Sequence, residues 1–133
     1  MTRLILITLL VLSSGPAYAE WVAIGYSESL GGYTVYVDLD TIRRKGDLVK
    51  MWYLLDFETI QTVAGDSFLS SKSQHEYDCT EERDRILALT MFSGNMGSGK
   101  VVYSSSDKDK WEWAPVQPDS ISQTLWKVAC NKK

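Results

Sequence analysis

The apolar residues of this chain repeat with one period through most of its length and with another at its end, and that switch decides most of what it can fold into. Tyr33, Val35 and Val37 alternate with Thr34, Tyr36 and Asp38. Val49, Met51, Tyr53, Leu55 and Phe57 fall on one side of a second run, with Lys50, Trp52 and Asp56 on the other. Ser73, His75, Tyr77 and Cys79 alternate with Gln74, Glu76 and Asp78 in a third. Side chains of a strand point to its two faces in turn, so these runs describe half-buried antiparallel strands. After Pro118 the period lengthens: Ile121, Leu125 and Val128 recur at helical spacing, with Ala129 beside them. Ser120 followed by Gln123 opens this segment as a capping box. Lys127, Lys132 and Lys133 suit its negative end. Strands gathered first and a helix last give an α+β fold rather than alternating α/β.

The remaining segments fill in the sheet. Residues 21–26 read as a first strand and Leu30-Gly31-Gly32 as a turn. Asp40-Thr41-Ile42 starts a single helical turn, residues 43–47 form a polar hairpin tip around Gly46, and residues 58–67 are a connection. Residues 83–92 carry two signals. Glu81, Glu82 and the leucines favour a helix, whereas Ile86, Thr90 and Phe92 favour a strand. The glycine-rich turn and the short strand at 101–104 that follow decide for the strand. Residues 105–110 form an exposed loop, and Trp111 and Trp113 lie on one side of a short extended piece that Pro115 and Pro118 end. The expectation is an antiparallel sheet of five to six strands with one C-terminal helix, all in one domain over residues 20–133.

Residues 1–19 carry the three-part layout of a secretory signal peptide: Arg3, the apolar run 4–12, and Ala17-Tyr18-Ala19 before the cut. A run of nine residues, broken only by Thr8, is far shorter than the ~20 of a spanning helix. No Cys lies near the cut to carry a lipid, and no second apolar run follows. The expected product is soluble, periplasmic or secreted, without a membrane anchor. Its formal charge of −4 argues against nucleic acid and anionic membranes, which call for a basic footprint. Cys79 and Cys130 both lie in the exported part. In an oxidising compartment a lone pair is most simply a disulfide, whereas two buried thiols would suit a cytosolic chain. Such a bond would pin the apolar face of the helix to the sheet.

No residue set completes a catalytic or metal site. Residues 94–100 satisfy the first seven positions of a phosphate-binding P-loop, but Val101 stands where Ser or Thr must hold magnesium, and a strand follows instead of a helix. His75 is the only histidine, so a triad or a zinc site lacks partners, and packing near the helix is its expected role. Asp38 and Asp40, like Asp107 and Asp109, have the spacing that opens a calcium loop but not its turn glycine or closing Glu. Both pairs read as solvated turn residues. Trp21, Trp52, Trp111, Trp113 and Trp126 can fill the core of a single sheet or form an aromatic surface. Trp111 and Trp113, between the polar loop and the prolines, are the candidate partner contacts.

Tyr36-Val37-Asp38 with Thr41-Ile42, Glu76-Tyr77-Asp78-Cys79, Met96-Gly97-Ser98-Gly99 and the final Val128-Ala129-Cys130 together resemble, in order, the surface adhesin E family of bacterial exported proteins. The resemblance implies an antiparallel sheet with a C-terminal helix tied to it by Cys79–Cys130. The family's name-giving member is a surface lipoprotein that binds host matrix proteins such as vitronectin and laminin, and also haem. Two features depart from that pattern: the lipid-attachment Cys is absent, and the stretch from Thr62 to Gln74, basic in the adhesin, offers only Lys72. The functional expectation is a non-enzymatic binding module with a protein or peptide partner and no cofactor. The alternative is a periplasmic structural or envelope-maintenance protein without a dedicated ligand.

Overall fold

A computed structural model describes residues 20–106 and 111–131. The signal-peptide reading of residues 1–19, the Asp107 and Asp109 pair, and Lys132 and Lys133 lie outside the described residues. Eight strands form one antiparallel sheet among the described residues. They are β1 (Val22–Ser27), β2 (Tyr33–Val37), β3 (Arg43–Lys45), β4 (Leu48–Val63), β5 (Asp66–Asp78), β6 (Arg83–Phe92), β7 (Val101–Ser105) and β8 (Ala114–Pro115), followed by helix α1 (Ile121–Asn131). The main order is β1-β2-β4-β5-β6-β7, with β3 paired to β4 and β8 to β6. Strands first and helix last, with residues 83–92 as a strand, agree with the sequence reading.

The count of five to six strands is corrected to eight, for identifiable reasons. β3 is Arg-Arg-Lys and β8 is Ala-Pro, so neither has an apolar alternation to read. β4 and β5 also run on through most of the expected connection at 58–67. They meet in a two-residue turn at Ala64 and Gly65, both with positive φ (49° and 86°), which matches the twist of a hairpin. That extension pairs with no third strand, because β2 leaves β4 at Phe57 and β6 joins β5 at Ser70; only the turn at Leu30 reaches it, bonded by Thr59 and Gln61. Apart from Phe68 it buries little, and so it leaves no alternation in the sequence.

Helix α1 covers one face of the sheet, which we term the inner face. Its buried residues, Leu125 and Ala129, join Val35, Val37, Val49, Met51 and Tyr77 in one core. Burying a leucine in this way stabilises the fold by about 1.5–3 kcal/mol. The Ser120 hydroxyl accepts the Gln123 amide N–H at 3.2 Å, and the Gln123 side chain accepts the Asp119 N–H at 3.0 Å, so the cap forms one residue wider than a capping box. At the far end Cys79 and Cys130 are bonded (S–S 2.04 Å, Cα–Cα 5.7 Å). Two further ties hold the same end: the Trp126 indole N–H donates to the Asp78 carbonyl (2.9 Å), and Arg44 donates to the Cys130 carbonyl (2.9 Å).

The outer face is covered as well, by the glycine-rich loop at 94–100. Asp56 Oδ1 accepts the Met96 N–H and the Asn95 amide, and the Ser70 hydroxyl donates to the Gly94 carbonyl and accepts the Gly97 N–H. Gly97 thereby comes down over Leu54, a buried outer-face residue of β4. The loop is a turn running into β7, the geometry of a hairpin connection and not of a nucleotide cradle.

Candidate functional site

Two polar clusters lie on opposite faces of β5 and β6. The inner one centres on His75, which the period-two pattern directs toward the helix. Its Nδ1 faces Asp84 Oδ2 at 3.0 Å and its Nε2 faces the Tyr53 hydroxyl at 3.0 Å. Tyr77 stacks on the imidazole, and its fully buried hydroxyl has no protein partner among the described residues. Desolvation pushes the Tyr77 phenol well above its usual range. Desolvation likewise raises Tyr53, even though part of that side chain reaches the surface.

A cavity of about 280 Å³ beside this cluster is lined by His75, Asp84, Trp111, Glu112 and Ser122 among others. It brings a histidine, a carboxylate and a serine to one place, as a hydrolytic triad requires. The hydrogen bonding differs from a triad. Nucleophile activation needs one imidazole nitrogen directed at the serine hydroxyl while the other is held by the carboxylate. Here the second nitrogen is bonded to Tyr53, a phenol whose proton burial makes harder to remove. The cluster therefore reads as a packed polar network, the role the sequence assigns to His75.

The outer cluster is built by register. Arg43, Lys50, Glu76 and Arg85 are successive cross-strand partners on β3, β4, β5 and β6. Lys45, Leu48, Asp78 and Arg83 form the next row. Arg85 bonds Glu76 (2.7 Å) and Arg83 bonds Asp78 (3.0 Å). Trp113 stacks against both guanidinium groups, 4.6 and 4.7 Å from its ring centroid. Under this cover Glu76 and Asp78 are buried, although the alternation alone places them on a solvated face. The Asp78 carboxyl sits below its ordinary range, first because it accepts the Glu81 N–H and then because Arg83 is beside it.

The candidate residues separate accordingly. Trp113 belongs to the outer charged face, whereas Trp111 lines the His75 cavity; both are half-buried. Asp38 is buried and caps the turn at Leu39–Thr41 by accepting the Asp40 N–H, which corrects its reading as a solvated residue; Asp40 is exposed. The basic groove lined by Arg43, Lys45 and Lys50 is the feature sequence reasoning missed. The symmetric placement of Glu76 and Asp78 against Arg85 and Arg83 about the turn at 79–82 signals the neighbouring ion pairs but not the groove. Among the described residues no cluster of His, Cys, Asp or Glu suits a metal ion, and no helix is long and apolar enough to cross a membrane.

The chain thus presents a charged, aromatic outer face on an antiparallel sheet whose terminal helix is tied to it by a disulfide. The chain belongs to the surface-adhesin protein E family, whose model matches residues 21–131. Crystal form II of Haemophilus influenzae protein E is 13% identical, covering 88% of this chain and 93% of that one, with a TM-score of 0.60. Protein E from non-typeable Haemophilus influenzae is 10% identical, covering 87% and 78%, with a TM-score of 0.57. At these identities the likeness is one of fold. No curated protein matches the chain.

Proposed function

We propose that this chain, freed of residues 1–19, is a periplasmic or secreted binding module without enzymatic activity, and that it holds a protein or peptide partner on the outer face of its sheet. The observation that carries this reading is the pair of in-register charged rows with Trp113 fixed over Arg83 and Arg85. Aromatic and arginine side chains on a rigid sheet lose little freedom when a partner arrives, which is why they dominate binding surfaces. Membership of a surface-adhesin family makes host matrix proteins the first partners to try. The occupied nitrogens of His75 support a role other than hydrolysis. The test is retention of the exported protein on immobilised laminin and vitronectin, with Trp113→Ala as the comparison. Saturable binding that Trp113→Ala weakens tenfold or more, with the fold intact by circular dichroism, is the expected result. Absence of saturable retention on either surface leaves the envelope-maintenance alternative in its place.

A further inference from the structure

We infer that the groove beside β3 takes an extended, acidic peptide segment whose carboxylates come at alternate positions. This deepens the reading above, on which it rests, by assigning the chemistry of the partner. The groove has a volume of about 530 Å³ and is lined by Arg43, Arg44, Lys45, Leu48, Lys50 and Glu76. It is a concentration of positive charge on a chain whose formal net charge is negative.

The described residues leave its two lysines without a counter-charge. Among the described residues neither the Lys45 nor the Lys50 side chain has a hydrogen-bond or ion-pair partner. Glu76, the cross-strand neighbour of Lys50, is already bonded to Arg85 through Oε1. Arg43 and Lys50 are directly opposed like charges, an arrangement that destabilises a sheet. Charged, short edge strands are a common device against edge-to-edge pairing, and that explains β3. It does not explain Lys50, which lies on β4 inside the sheet. An anionic occupant gives the opposed pair a reason to be retained.

The shape of the charge selects the kind of anion. Arg43 and Lys45 project from one face of β3 two residues apart, about 6.6 Å along the strand. Carboxylates at positions i and i+2 of an extended peptide have the same separation. The Arg43 guanidinium is held in place by the carbonyls of Asp40 (2.8 Å) and Ile42 (2.9 Å). Glu76, paired to Arg85, leaves one wall of the groove without a free cation for a polymer that carries negative charge on every unit, such as a sulfated polysaccharide. A peptide can place a backbone N–H or a basic residue there. Leu48 supplies an apolar floor for the stems of its side chains.

The test is fluorescence anisotropy of the full exported protein with labelled ten-residue peptides. One alternates Glu with Ser, one holds the same residues with the glutamates in a block, and one has Gln for Glu; a heparin oligosaccharide is the fourth probe. The alternating peptide should bind at least fivefold tighter than the block and at least fivefold tighter than heparin. Its affinity should fall at least tenfold between 50 and 300 mM salt, and at least tenfold in Lys50→Gln and Lys45→Gln but not in Lys100→Gln. Lys50→Gln should melt no lower than the parent at low salt, because it relieves the opposed charges. Equal binding of block and alternating peptides overturns the proposal, as does tighter binding of heparin or an unchanged affinity in Lys50→Gln. Matrix-protein retention that survives both lysine substitutions removes the groove but leaves the module. Peptide binding without matrix retention does the reverse.

Discussion

Breaking the disulfide in a Cys79→Ser, Cys130→Ser double variant isolates what the staple contributes. The bond closes a loop of 51 positions. Chain-entropy arguments give ~14 cal/mol/K for that closure, or about 4 kcal/mol at 25 °C, acting through the unfolded chain. That is a large part of the roughly 5–15 kcal/mol that holds a domain of this size together. The native contacts at the same end, Trp126 to Asp78 and Arg44 to Cys130, survive the substitution and keep the helix docked in the absence of denaturant. An isolated helix of 11 residues is marginal, so α1 should release before the sheet melts. Urea unfolding by far-ultraviolet circular dichroism and by tryptophan fluorescence tests both statements. The variant should lose about 4 kcal/mol, and the fluorescence transition, which contains Trp126, should precede loss of the sheet signal. A loss under about 0.5 kcal/mol, or two reactive thiols in the folded exported protein, refutes the reasoning.

Other consequences can be measured separately. Leu125→Ala should cost about 2–5 kcal/mol by urea unfolding, since Leu125 is 3% exposed in the core between helix and sheet; a cost under about 0.5 kcal/mol means the helix does not dock through that face. Mass spectrometry of protein from its native host should find a chain beginning at Glu20; an intact Met1 counts against export. Asp78 has its folded pKa lowered, so its contribution is complete above the ordinary carboxylate range and is lost as pH falls through the depressed value. Asp78→Asn should therefore flatten the acid limb of the stability–pH profile, and an unchanged limb shows that this carboxyl is not the group titrating.

The elements legible in the sequence were those that bury one face against the helix. Val35, Val37, Val49, Met51 and Tyr77 announce themselves by period two because apolar residues pack on the helix side of their strands while mostly polar ones take the other. β3 and β8 carry no such mark, since hydrogen bonding to a neighbour rather than burial makes them strands. The charged face was illegible for a different reason. Arg43, Lys50, Glu76 and Arg85 become one row only after three hairpin registers are fixed, and no local window contains them all. His75 was placed correctly on the helix side, but its bond to Asp84 depends on the irregular register between Gln74 and His75, where β5 and β6 fall out of step. The cavity beside it could not be anticipated without that step.

The β4–β5 ribbon beyond Gln61 has a consequence of another kind. Nothing in the body leans on it: its tip is exposed, Ile60 near its base is 66% exposed, and a side chain built on Gly65 would meet no atom. The pairing that sets strand register lies below, at residues 48–56 and 70–78. Extra residues between Ala64 and Gly65 would lengthen the ribbon without disturbing a single rung of the sheet. For an exported protein this divides the molecule into a part constrained to stay the same and a part free to drift.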